Sequence, residues 1–97
     1  MKQLPPRIRT KLRVAMRLAP ETISFWVVEA PASFMVGSSE LMFRLTIGGE
    51  VIGNVSGMAM IKTLNTATKL GLTKAVALIK GKMLHALQAS EKVGFAG

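Results

Sequence analysis

From Arg7 to Leu18 the chain reads R-I-R-T-K-L-R-V-A-M-R-L, an alternation of basic and non-basic side chains. Arg7, Arg9, Lys11, Arg13 and Arg17 hold odd positions, broken only by Ala15. Ile8, Thr10, Leu12, Val14, Met16 and Leu18 hold the even ones. Side chains on a strand alternate between faces, so this spacing predicts a β-strand with cations on one side and apolar groups on the other. On a helical wheel the same cations spread around most of the circumference. A cationic strand face must meet water, an anionic ligand or another chain, and that choice bears directly on function.

The following segments carry clearer local signals. Thr22 to Glu29 is rich in β-branched and aromatic residues and predicts a second strand, ended by Pro31. Ala32 to Val36 is a candidate short strand. Leu41, Phe43, Leu45 and Ile47 alternate with Met42, Arg44 and Thr46 in a third strand. Gly48-Gly49 then joins it to Glu50–Val55, and two apolar strands linked by two glycines predict a tight hairpin, because a type I′ turn needs positive φ at both central residues. Gly53 marks a bulge or a close backbone approach.

At Ser56, a candidate N-cap, the period changes. Ile61, Leu64, Thr68, Leu72, Ala75, Ile79, Met83 and Ala86 recur at helical spacing, with Lys62, Thr66, Lys69, Thr73 and Lys80 opposite. This pattern predicts an amphipathic helix of about thirty residues, some 45–50 Å long. The alternative is two helices broken at Gly71 or Gly81, each of which weakens a helix by about 1 kcal/mol relative to alanine. From Ala75 onward the helix is apolar almost all round. Leu72, Val76, Ile79, Met83 and Leu87 are therefore candidate oligomer contacts. The tail from Val93 to Gly97 is expected to fray unless Phe95 docks on a neighbour.

Together these segments predict an α+β fold: an antiparallel four-stranded β-meander, or five strands with Ala32–Val36, followed by one long C-terminal amphipathic helix that packs on the sheet and into an oligomer. A chain of 97 residues makes one domain, with residues 7–55 as its sheet part and 56–92 as its helical part. The order β-β-β-β-α is similar to that of small nucleic-acid-binding proteins of the Whirly type, a likeness of topology alone.

Charge narrows the function. The net charge is +8, and it is segregated: residues 1–18 hold six cations and no acid, 19–55 hold four glutamates against Arg44, and 56–97 hold six lysines against Glu91. Such a layout suits a polyanion or an acidic protein surface. The catalytic inventory is poor, with no cysteine, aspartate or tyrosine and a single histidine, His85. The glutamates never pair at helical spacing, and no glycine-rich loop has the lysine and helix context of a phosphate-binding loop. No enzyme, cofactor or metal site is expected. No secretory signal or membrane span is legible, which suits an intracellular or virion location. A mean hydropathy of +0.39 is high for a domain with so much surface per volume, which favours a homo-oligomer.

The resulting expectation is a non-enzymatic basic protein that binds nucleic acid through phosphate contacts. Arg7, Arg9, Lys11, Arg13 and Arg17 would supply them, with Lys62 and Lys69 as an extension. The alternative is a structural or assembly protein, such as a virion or other multi-subunit component, that self-associates through its helix and sets its basic strand on acidic surface of a neighbour.

Overall fold

Arg7–Leu18 is a helix. In a computed structural model, which describes residues 3–29 and 40–92, α1 runs from Pro6 to Leu18. Pro6 opens it at a position where the missing N–H costs nothing. Ile8, Leu12, Ala15 and Met16 are buried, an i, i+4, i+7, i+8 stripe, and Leu4 extends it at the N-terminal side. Of the six even-numbered residues, Thr10, Val14 and Leu18 are exposed. The period-2 pattern therefore conceals a period-4 one, and the cations fill the remaining arc of the wheel. Leucine, methionine, alanine, arginine and lysine, which dominate the segment, are all good helix formers.

A single 3-10 turn at Pro20–Thr22 leads into β1 (Ile23–Glu29), followed by β2 (Met42–Ile47) and β3 (Glu50–Ser56). They form one antiparallel sheet in the order β1-β2-β3. Gly48 and Gly49 turn the β2–β3 hairpin at φ +59° and +85°, the positive values that a type I′ turn requires. Leu45 pairs with Gly53 and Thr46 with Val51, so Ile52 is the extra residue of a bulge. Gly53 faces the same side as Leu45. A Cβ there would lie 3.0 Å from Ile8 Cδ1, so the glycine lets α1 approach the sheet closely.

The long helix is broken in two. Helix α2 spans Gly57–Lys69 and α3 spans Thr73–Lys92. Gly71, at φ +87°, ends α2: its N–H bonds to the Thr68 carbonyl, and the Leu72 N–H bonds to the Ala67 carbonyl. These are the two bonds of a Schellman cap, and they reverse the chain so that α3 packs back on α2 and β1. A rod of about 45 Å would overhang a sheet of six-residue strands; the break removes that mismatch. The Ser56 hydroxyl caps α2 by accepting from the Ala59 N–H at 3.1 Å. Ser56→Ala should lower stability by about 1 kcal/mol, read as a melting temperature about 4–8 °C lower, while Ser56→Asp should keep it.

All three helices cover one face of the sheet. Ile23, Phe25, Phe43, Leu45 and Val55 from the strands join Leu12 and Met16 of α1, Met60 and Leu64 of α2, and Ile79 and Met83 of α3 in a single core. The predicted four- or five-stranded meander with one C-terminal helix is thus corrected: among the described residues the chain forms a three-stranded meander, with one helix before it and two after. The likeness to the Whirly order of elements lapses with it. Within residues 7–55, assigned above to the sheet, the first quarter is helical. The candidate strand at 32–36 and Phe95 lie outside the described residues.

Candidate anion-binding surface

Helix α1 is held by its apolar stripe, and its outward arc carries the charge. Arg7, Lys11 and Arg17 are exposed, and Arg9 and Arg13 are half-buried at the margins of the stripe. Arg9, Arg13 and Arg17 follow one another at i, i+4, i+8, about 6 Å apart along the axis, and Arg7 and Lys11 form a second such row. Among the described residues, no hydrogen bond or ion pair engages the side chain of any of the five.

The first turn of α1 has no acidic residue and contains Arg7 and Arg9. Positive charge at a helix N-terminus opposes the macrodipole, by about 0.3–1 kcal/mol per group when exposed. A bound anion would relieve both that repulsion and the mutual repulsion of five neighbouring cations. Val14 and Leu18 lie within the same arc, 51% and 79% exposed, so the surface is not purely ionic.

The other residues singled out from sequence lie apart from this surface. Lys62 and Lys69 are exposed on one side of α2, while the principal neighbours of α1 are the 3-10 turn, α3 and β1. Val76, Ile79, Met83 and Leu87 are buried in the chain's own core, and Leu72 is half-buried against it. The large exposed apolar residues of α3 are instead Leu78 and Leu84.

Two features escaped the sequence. The register sets Trp26 opposite Arg44 and Arg44 opposite Asn54, a row across the face of the sheet that none of the described helices covers. Strand parity within Thr22–Glu29 could not show this, because Arg44 belongs to a different strand. Lys82 is the second. Its ammonium donates to the Glu21 carbonyl at 2.7 Å and to that of Ile23, tying α3 to the start of β1 across some sixty residues of chain. Beside it a cavity of about 480 Å³ opens between β1 and α3, lined in part by Phe25, Leu78, Gly81 and His85.

Among the described residues, no three potential ligand side chains gather into a group that could hold a metal ion, and no helix is long and apolar enough to cross a membrane. Compared with protein-family models, with curated proteins and with solved structures, the chain matches none of them.

Proposed function

We propose that this is a non-enzymatic nucleic-acid-binding protein that holds the phosphate backbone on the outward arc of α1, through Arg7, Arg9, Lys11, Arg13 and Arg17. One observation carries the reading: five cations without a partner among the described residues share a thirteen-residue helix that contains no acid. Arginine, which supplies four of the five, offers a planar fork for bidentate phosphate contact. Steps of about 6 Å along a helix also match the order of spacing between successive phosphates of an extended strand.

Binding should weaken with salt by about 0.7–0.9 log units per tenfold change for each phosphate contact. Replacing Arg9, Arg13 and Arg17 by glutamine, an equally good helix former, should reduce the log–log slope by about 2–3. Fluorescence anisotropy with labelled single- and double-stranded DNA and RNA measures it. An unchanged slope in a variant with native circular dichroism would overturn the reading.

The exposed apolar residues favour a second reading. Trp26, Val51 and Leu84 are 66%, 59% and 47% exposed, which suits a structural or assembly protein whose α1 sits on acidic surface of a neighbour. Protein purified free of nucleic acid would then form a large defined assembly and would show no salt-dependent binding to any of the four oligonucleotides.

A further inference from the structure

Among the described residues, the β1 strand has an open edge: in the order β1-β2-β3 it pairs on one side only. The Gly48 N–H bonds to the Thr22 carbonyl at 3.0 Å, which sets the phase of the ladder. Thr22–Gly48 is a hydrogen-bonded pair, so Ser24–Thr46 and Trp26–Arg44 are too, while Ile23, Phe25 and Val27 turn their N–H and C=O groups away from β2. The Lys82 bond to the Ile23 carbonyl agrees with that phase. The Ile23 N–H is taken by the Pro20 carbonyl. Four backbone groups remain along the edge: N–H and C=O of Phe25 and of Val27.

Soluble proteins protect such edges with lysine, proline or a covering element. β1 reads I-S-F-W-V-V-E and holds neither lysine nor proline. On the uncovered face of the same strand, Trp26 is 66% and Val28 39% exposed, and beneath the edge Leu78 on α3 is 40% exposed. Edge, sheet face and helix flank are thus apolar together along one side of the molecule.

We propose that a second copy of this chain covers this side, β1 pairing antiparallel with β1 of its partner across a two-fold axis at Trp26, to form a six-stranded sheet. Only one register uses all four free groups, that in which Phe25 faces Val27 of the other copy. Centring on Phe25 would call on Ile23, whose groups are already bonded. Centring on Val27 would call on Glu29, beyond the register shift between Val27 and Glu29. The chosen register makes four hydrogen bonds and is isologous, as a two-fold contact must be.

It also sets the two Trp26 residues opposite each other in a non-hydrogen-bonded pair, where side chains are closest and aromatic pairs stabilise most. Charge agrees with it. The Glu29 end of each strand arrives at the Ile23 end of the other, where the Lys82 ammonium lies. The α3 flanks bearing Leu78, Gly81 and His85 meet beneath the joined strands. A Cβ at Gly81 would have nothing within 4 Å, so the helix surface there is open to a close neighbour.

The chain contains no cysteine, so one introduced thiol tests the register. In a non-hydrogen-bonded pair the Cα atoms are about 4.5 Å apart, within disulfide range. Trp26→Cys should therefore cross-link to a dimer under mild oxidation. Ser24→Cys, on the same exposed face, places its two thiols four residues apart along the strands, about 13 Å, and should not. Within an associated pair the effective thiol concentration is millimolar, so the Trp26→Cys rate should exceed the control by about tenfold or more.

Sedimentation of the unmodified protein should give twice the chain mass of 10.4 kDa. Val27→Pro, which removes an edge N–H that the fold itself does not use, and Trp26→Glu should each sediment as monomers. Equal cross-linking at positions 24 and 26, a monomeric parent protein, or a dimer that survives Trp26→Glu would overturn the proposal. Should Val27→Pro fail to fold, the cross-linking ratio and Trp26→Glu decide it.

Discussion

The Phe43→Ala protein is expected to melt about 12–40 °C below its parent, the shift that corresponds to a loss of about 3–5 kcal/mol in a domain of this size. Phe43 is fully buried on β2, the central strand, and both ladders run through it, to Val27 on one side and Val55 on the other. Its ring meets that of Phe25 edge to face, with centroids 5.5 Å apart. Alanine would remove this contact and leave a cavity with a sheet backbone on one side and packed helices on the other. Neither wall can collapse into it cheaply. Total stability for a domain is about 5–15 kcal/mol, so the variant would retain only a fraction of it. Thermal melting followed by far-UV circular dichroism gives the answer. A shift under about 5 °C would mean that Phe43 does not face the core.

Phe43 was legible as a core residue because its signal is local. Alternation from Leu41 to Ile47, two glycines, then Glu50–Val55 specify two strands and their turn without reference to the rest of the chain. Gly53 was legible for the same reason: a glycine inside an apolar strand has few explanations, and here both the bulge and the close approach of Ile8 apply. Ser56 followed by a helical period was equally plain, and the core face of both later helices follows from Leu64, Ala75, Ile79 and Met83.

Helix α1 was misread because charge dominated the pattern. Five cations at odd positions look like one face of a strand, yet Ile8, Leu12 and Met16 recur every four residues with Ala15 between them. Composition carried the correction. Only Ile8, Thr10 and Val14 of the twelve residues are β-branched, and Pro6 stands where a helix begins. The break at Gly71 was visible as a weak point, but an eleven-residue apolar repeat runs straight across it. What chose two helices was the need to fold α3 back over β1, a tertiary requirement. Lys82 on the carbonyls of Glu21 and Ile23, and Trp26 opposite Arg44, depend on register between distant segments and leave no local trace. Of the candidate surface, the residues of α1 were therefore legible and their geometry was not.

Leu12 and Val14 separate helix from strand experimentally. On a strand they would share a face, and a carboxylate at either would be equally damaging. On α1, Leu12 is fully buried and Val14 is 51% exposed. Leu12→Asp sets an unpaired charge among Ile8, Met16 and the sheet, a class of change that costs about 4 kcal/mol or more. Val14→Asp should stay within about 0.5 kcal/mol of the parent. A thirteen-residue helix is marginal in water without its docking surface, so α1 in the Leu12→Asp protein should melt rather than swing free. Five trypsin sites, after Arg7, Arg9, Lys11, Arg13 and Arg17, report that melting directly. Limited digestion read by mass spectrometry should cut all five early in Leu12→Asp, and late in both the parent and Val14→Asp. The same pair of variants bears on function. Leu12→Asp keeps all five cations but dissolves their i, i+4, i+8 order, so it should lose phosphate affinity well beyond the effect of one added negative charge. Val14→Asp adds that same charge with the helix intact and supplies the reference. Equal affinities in the two would mean that net charge alone, and not the helix, attracts the polyanion.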